Sequence, residues 1–247
     1  MSIIAEIRKT IGNFKEDYAF RASDFSLYRD KPDAVVKALN RMSKAGEIKK
    51  IGRGKFYKPR KSQFGILRPT ESQIVKTFLE QNGKMVGYIT GLSAFKSMGL
   101  TTQVSSYIHI GTNQYRRPMN IDKQAIIFIK QNNSITRKNF RILIILDALR
   151  FIKEIPGTSP DTACARLKEI IRSLPMEQKN ILAKCCLKYT SYVRALCGAI
   201  LEDLNCSMFL LEAIRKSLNS LTEYRLPILE STLPTKKNWK IYEPARK

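Results

Sequence analysis

The side chains best suited to chemistry in this sequence are cations set at helical spacing. Lys37, Asn40, Arg41 and Lys44 recur three and four residues apart, with Lys31 just before them, and side chains of these types reach phosphates and base edges. Seven further cations lie between Lys49 and Lys61 with no acid among them. Clustered Lys and Arg neutralise phosphates and release condensed counterions, the dominant source of affinity for nucleic acid. Asn40 matches adenine and Arg41 matches guanine through paired hydrogen bonds. Arg53, held between Gly52 and Gly54, suits a narrow minor groove, and Lys50, Lys55 and Lys58 suit the backbone. A second aromatic and basic group, Tyr115, Arg116 and Arg117, offers a further contact to nucleic acid or a protein, or an ordinary surface turn.

Catalytic templates fit poorly. Pro32-Asp33 followed by Glu47-Ile48-Lys49 matches the acid and lysine pattern of metal-dependent nucleases, which set both acids on neighbouring strands. Here Asp33 opens a helical pattern and Glu47 follows the glycine that stops it. Gly91-Leu92-Ser93-Ala94-Phe95 lacks the second glycine of a nucleophile elbow, and no glycine loop has the spacing of a phosphate loop. His109 is the sole histidine and has no evident triad partner. The five cysteines lack C-x-x-C spacing, so reduced, buried thiols are expected rather than a zinc site. Neither an enzyme activity, a metal nor a cofactor is expected.

Composition agrees with an anionic partner. The 247 residues carry 44 Lys and Arg against 21 Asp and Glu, a net charge of +23. Residues 1–60 hold 15 basic and 7 acidic side chains, residues 84–153 hold 11 and 2, and residues 154–247 hold 15 and 10. The charge therefore peaks in the first and middle regions. No signal peptide is visible, because Glu6, Arg8 and Lys9 interrupt the stripe of Ile4, Ile7 and Ile11. The apolar run Ile142–Leu146 is too short to span a bilayer. A cytoplasmic protein without membrane contact is the expectation.

The elements needed to position those cations are legible in the pattern. Helix is predicted over Ser2–Asn13, a short strand at Tyr18–Phe20, and a brief helix from Ser23 to Tyr28. A helix follows from Pro32 to Ala45, capped by Asp30, with Val35, Ala38, Leu39 and Met42 as its apolar stripe. Gly46 ends it, and strands Glu47–Ile51 and Lys55–Lys58 flank a Gly-Arg-Gly turn. That order is a winged helix-turn-helix over residues 1–62. The polar stretch Pro59–Gly65 is read as a boundary, and a second domain over 68–247 divides into an α/β part, 68–138, and a helical part with a docked tail, 139–247. In the second domain, helices are predicted at Thr70–Gln81 and Thr90–Met98, and strands at Lys84–Gly87, Ser105–Ile110 and Ala125–Ile129. Phe140–Ile152 is apolar almost all round, as a buried helix should be, and amphipathic helices follow to about residue 221. Trp239 is expected to anchor the tail on its own domain. The fold class is mainly α with small β-sheets (α+β).

Several stretches resemble one known family. Val35–Tyr57, with its A-L-x-R-M-x-K-A-G-E-I-K-K-I-G-R-G-K-F-Y run, is similar to the winged domain of AbiEi-type antitoxins. Gly91-Leu92-Ser93-Ala94, Gly99-Leu100-Thr101-Thr102-Gln103-Val104, Arg194–Ala199 and Leu218–Thr222 resemble later parts of the same family, so the likeness spans most of the chain. The resemblance implies an antitoxin of a type IV toxin–antitoxin pair that counters a nucleotidyltransferase toxin, commonly without a stable complex, in phage defence. It also implies a repressor of its own operon that binds double-stranded operator repeats; a homodimer, with two copies on an inverted repeat, is expected. By position, Lys37, Asn40, Arg41, Lys44 and Arg53 would be the operator contacts. Two alternatives remain at this stage: a stand-alone winged regulator, and an RNA-associated factor that shields a toxin's RNA substrate.

Overall fold

The apolar stripes read from the sequence close into two separate cores. A computed structural model describes residues 2–15, 18–52, 54–62, 65–67, 71–81, 83–121 and 124–244. They form two compact units, Met1–Val86 and Gly87–Lys247, in a mixed α/β architecture of helices and small sheets.

In the first unit, helix α1 (Ile3–Gly12) leads to strand β1 (Ala19–Arg21), two 3-10 turns (Ala22–Asp24 and Ser26–Tyr28) and helix α2 (Pro32–Lys44). Ser2 caps α1 by accepting from the Ala5 amide at 3.3 Å. Strands β2 (Lys49–Gly52) and β3 (Lys55–Tyr57) follow, then β4 (Arg60–Ser62) and β5 (Gly65–Leu67). Helix α3 (Glu71–Leu79) and the hairpin β6 (Glu80–Gln81) and β7 (Lys84–Met85) complete the unit. β1, β3 and β2 make an antiparallel sheet in that order, with Phe20 opposite Phe56 and Lys50 opposite Phe56 on the other side. Val35, Leu39 and Met42 of α2 bury against Ile7, Ile11, Phe20, Phe25, Ile48 and Phe56. Each such side chain contributes about 1.5–3 kcal/mol when fully removed from water.

Three expectations change here. Lys31 rather than Asp30 stands at the N-cap of α2, and no side chain bonds the free amides there. Proline at the first helical position already fixes the turn and lacks one of the orphan donors, which leaves less for a cap to satisfy. The brief helix at 23–28 is instead the two 3-10 turns, with the Asp24 carboxylate accepting from the Arg21 amide at 2.8 Å. The polar stretch expected to separate domains pairs with itself as the β4–β5 hairpin, and the division between units falls at Val86 and Gly87. Residues 71–86 join the first unit through polar bonds: Arg21 donates to the Thr77 carbonyl and to the Gln81 side chain, and Lys55 donates to Thr77.

The second unit opens with β8 (Gly87–Thr90), α4 (Leu92–Ser97), β9 (Tyr107–Thr112), β10 (Met119–Ile121) and β11 (Gln124–Lys130). Its sheet runs β10-β11-β9-β8, with β9 and β11 parallel and the outer pairs antiparallel. Helices α5 (Phe140–Arg150), α6 (Pro160–Arg172), α7 (Met176–Cys186), α8 (Ser191–Asp203) and α9 (Met208–Lys216) follow. α5 packs on α7, α8 and β8, and Ile142, Leu143, Leu146 and Leu149 are buried around its circumference. All five cysteines are buried and free, and burial pushes the Cys164 thiol up to about 12. The tail returns through β12 (Tyr224–Arg225), a 3-10 turn (Pro234–Trp239) and β13 (Ile241–Tyr242), which pairs parallel with β12. Trp239 seats its ring on Gly198 of α8, where a β-carbon would clash with the indole, and donates from Nε1 to Glu202. The tail is thus packed on α8 of its own unit. No helix among the described residues is long and apolar enough to cross a membrane.

Candidate nucleic-acid interface

Helix α2 turns its apolar stripe inward and so delivers its cations outward. Lys37, Arg41 and Lys44 are exposed, as is Lys31 at the helix start. Asn40 sits at the edge of the same face, half-buried. Lys50 on β2 reaches across to it, with Nζ donating to Asn40 Oδ1 at 3.2 Å and lying 5.8 Å from the centre of the Phe56 ring. The sequence reading gave Asn40 and Lys50 separate roles, and the structure joins them. The Asn40 carbonyl oxygen has two lone pairs, and Lys50 occupies one of them.

Two of the expected backbone contacts are corrected. Lys55 is buried, donates to Thr77 Oγ1 at 3.2 Å and lies over the ring of Phe78. β3 is the central strand of its sheet, and α3 covers this end, so the side chain is enclosed rather than offered to a ligand. Lys58 donates from Nζ to the carbonyls of Gly12 (2.7 Å) and Phe14 (2.9 Å). It closes the C-terminus of α1, where the helix dipole favours a cation. Arg53 lies outside the described residues. Glu47, the second acid of the nuclease pattern, is held in a two-pronged bond by Arg8, Nε to Oε2 and Nη2 to Oε1, both 2.8 Å. That fork holds the Glu47 carboxyl below its usual range.

The group at 115–117 is split. Tyr115 is 80% exposed and Arg117 points to solvent, whereas Arg116 lies over Phe128 and donates to Gln114 Oε1 at 3.3 Å. His109 packs against Gly91, where a β-carbon would stand 2.7 Å from the imidazole, and the glycine's φ of +67° is itself one that side chains rarely adopt.

The sequence reading missed a polar centre in the second unit. Asp147, 1% exposed, accepts from the hydroxyls of Tyr88 (2.8 Å), Thr90 (2.9 Å) and Tyr189 (2.8 Å). Gln131 Nε2 donates to the same two tyrosines, and its Oε1 accepts from the Asn133 amide and side chain. Burial pushes the Asp147 carboxyl up; the hydroxyl bonds and nearby Arg150 pull it down, and burial is the larger. Tyr88 lies directly over Gly111, its cross-strand partner, where a β-carbon would stand 2.5 Å from the ring. The signal in the sequence was a lone acid on an otherwise apolar helix.

An α+β chain that presents a basic helix beside a small antiparallel sheet is the class these features define. The chain belongs to a family of unknown function, DUF6088, whose model matches residues 6–180 and so crosses both units. Among solved structures it is similar to the crystal structure of the RV2827C protein from Mycobacterium tuberculosis, at 10% identity and a TM-score of 0.38, over 89% of this chain and 83% of that one. A search of curated proteins finds no match.

Proposed function

We propose that the first unit is a winged helix-turn-helix that binds double-stranded operator DNA, with α2 in the major groove and the β2–β3 hairpin as the wing. The carrying observation is the outer face of α2, where Lys37, Arg41 and Lys44 are exposed together while Lys50 reaches Asn40 from the sheet. The order helix, strand, turns, helix, hairpin, with the sheet running β1-β3-β2, supports the same reading. Joined to the family resemblance, the proposal is an AbiEi-like antitoxin that represses its own operon and counters a nucleotidyltransferase toxin. Two copies on an inverted repeat would sit about 34–36 Å apart, one duplex turn.

The test is a titration of the full chain with its own promoter duplex, a random duplex and transfer RNA at several salt concentrations. The promoter duplex binds tightest, and Arg41→Ala weakens that complex about 10- to 100-fold and relaxes preference at one position. Lys37→Ala weakens all duplexes alike and lowers the salt slope by about 1. Unchanged affinity and selectivity in Arg41→Ala would remove α2 from the interface. Tighter binding of transfer RNA than of either duplex would favour the RNA-shielding alternative, which draws on the 11 basic against 2 acidic side chains of residues 84–153.

A further inference from the structure

The second unit carries a small cationic cleft that the DNA-binding reading does not use. It is lined by Lys130, Gln131, Asn132, Arg150, Lys188, Tyr189 and Thr190 and encloses about 220 Å³. Three elements converge on it. Lys130 ends the parallel strand β11, Arg150 ends α5, and Lys188 to Thr190 lead into α8. The Tyr192 hydroxyl donates to the Arg150 carbonyl, which ties the last turn of α5 to the first turn of α8. The Asn132 amide donates to the Lys188 carbonyl at 3.4 Å, closing the third side.

The floor of the cleft is rigid. Gln131 and Tyr189 are both held by the buried network around Asp147, with all bonds between 2.7 and 2.9 Å along the path from Gln131 through Tyr189 to the carboxylate. A wall built this way does not collapse to fill the space beside it.

Several cations of the helical part are paired: Lys168 with Asp203, Arg215 with Glu202, Lys236 with Glu243 and Lys237 with Glu230. Lys130, Arg150 and Lys188 have no carboxylate within 4 Å among the described residues. Asp147, on the same network as the floor, is bonded by three hydroxyl donors. Thr190 occupies the N-cap of the 13-residue α8 without bonding its free amides, so the positive end of that helix adds to the same field.

We propose that this cleft binds a phosphate group. Its volume is below the roughly 300–1,000 Å³ of pockets that enclose a whole drug-sized ligand, so it takes one phosphate or diphosphate while any sugar and base lie outside. Arg150 and the two lysines supply charge-assisted donors, and the Thr190 hydroxyl and Asn132 amide supply neutral ones. The phosphate can belong to a free polyanion or to a single-stranded RNA backbone, and the two are separable by experiment.

The full chain is titrated with inorganic pyrophosphate by calorimetry and with a ten-nucleotide single-stranded RNA by fluorescence anisotropy, in wild type and variants. Lys188→Ala and Arg150→Gln each weaken binding at least tenfold, while Lys184→Ala, an exposed neighbour on α7 outside the cleft, has no effect. Pyrophosphate saturating at a lower concentration than RNA identifies a free polyanion; the reverse identifies a strand. Arg41→Ala leaves the pyrophosphate titration unchanged, so failure here is distinct from failure of the DNA reading. Equal weakening by Lys184→Ala, or no binding of either probe by wild type at millimolar concentration, overturns the proposal. Circular dichroism melts of Lys188→Ala, which changes an exposed side chain, confirm that the loss is not unfolding.

Discussion

The two units use polar side chains in opposite ways. In the first, α2 keeps Lys37, Arg41 and Lys44 in solvent over a wholly apolar core of Ile7, Phe20, Leu39 and their neighbours. In the second, Asp147, Tyr88, Thr90, Gln131 and Tyr189 are gathered inside, and each of their hydrogen-bonding groups finds a partner. An exposed cation is nearly free of structural duty and is available to a ligand. A buried carboxylate must be satisfied completely, because an unpaired group in low dielectric is costly. The outer face of α2 and the buried centre at Asp147 thus mark two extremes, and Lys55 and Lys58 show that the first unit also holds cations inside its fold.

The contrast breaks most visibly at Asp147. Asp147→Asn is expected to destabilise the second unit by about 3 kcal/mol, because a donor then faces hydroxyls that need an acceptor. Trp239, the single tryptophan and buried in that unit, reports the change in urea without interference from the first. The pH dependence sharpens the point. The folded carboxyl is raised above its ordinary value of 3.8, so between 3.8 and the raised value the folded chain binds more protons than the unfolded one. The contribution of this group to stability therefore falls as pH rises through that window. Asp147→Asn removes that slope, and an unaltered pH profile would show the network is not what sets it.

A smaller effect is expected at Lys55, the cation of the first unit that behaves like one of the second. Lys55→Ala should lower the stability of the first unit by about 1–2 kcal/mol through lost packing and the lost bond to Thr77. Hydrogen exchange of β3 amides measures it. The salt slope of DNA binding should stay as in wild type, and a reduced slope would return Lys55 to the interface. The smallest effect belongs to Lys44→Ala, with no measurable shift of either unfolding midpoint, since nothing in the described structure depends on that exposed side chain.

What the sequence made legible follows from which forces are local. The α2 face was readable because a helix of period 3.6 sorts Val35, Leu39 and Met42 from Lys37, Arg41 and Lys44 without knowledge of anything distant. α5 was readable as buried from its uniform apolarity, and the cysteines from their spacing. Lys55 was misplaced because its partners, Thr77 and Phe78, lie on a helix more than twenty residues away. The Asp147 network draws on residues 88, 90, 131 and 189, a convergence that only the folded sheet and helices create. The β4–β5 hairpin was hidden for a different reason: polar, turn-forming residues read equally as a linker or as a short ladder.

The seating of Trp239 on Gly198 bears on the order in which the molecule matures. Leu233, Trp239 and Ile241 are buried against the helical part of the second unit, so that unit cannot close until the segment carrying them has left the ribosome. The first unit has all its parts by residue 86. During translation the first unit would be complete long before the second is sealed.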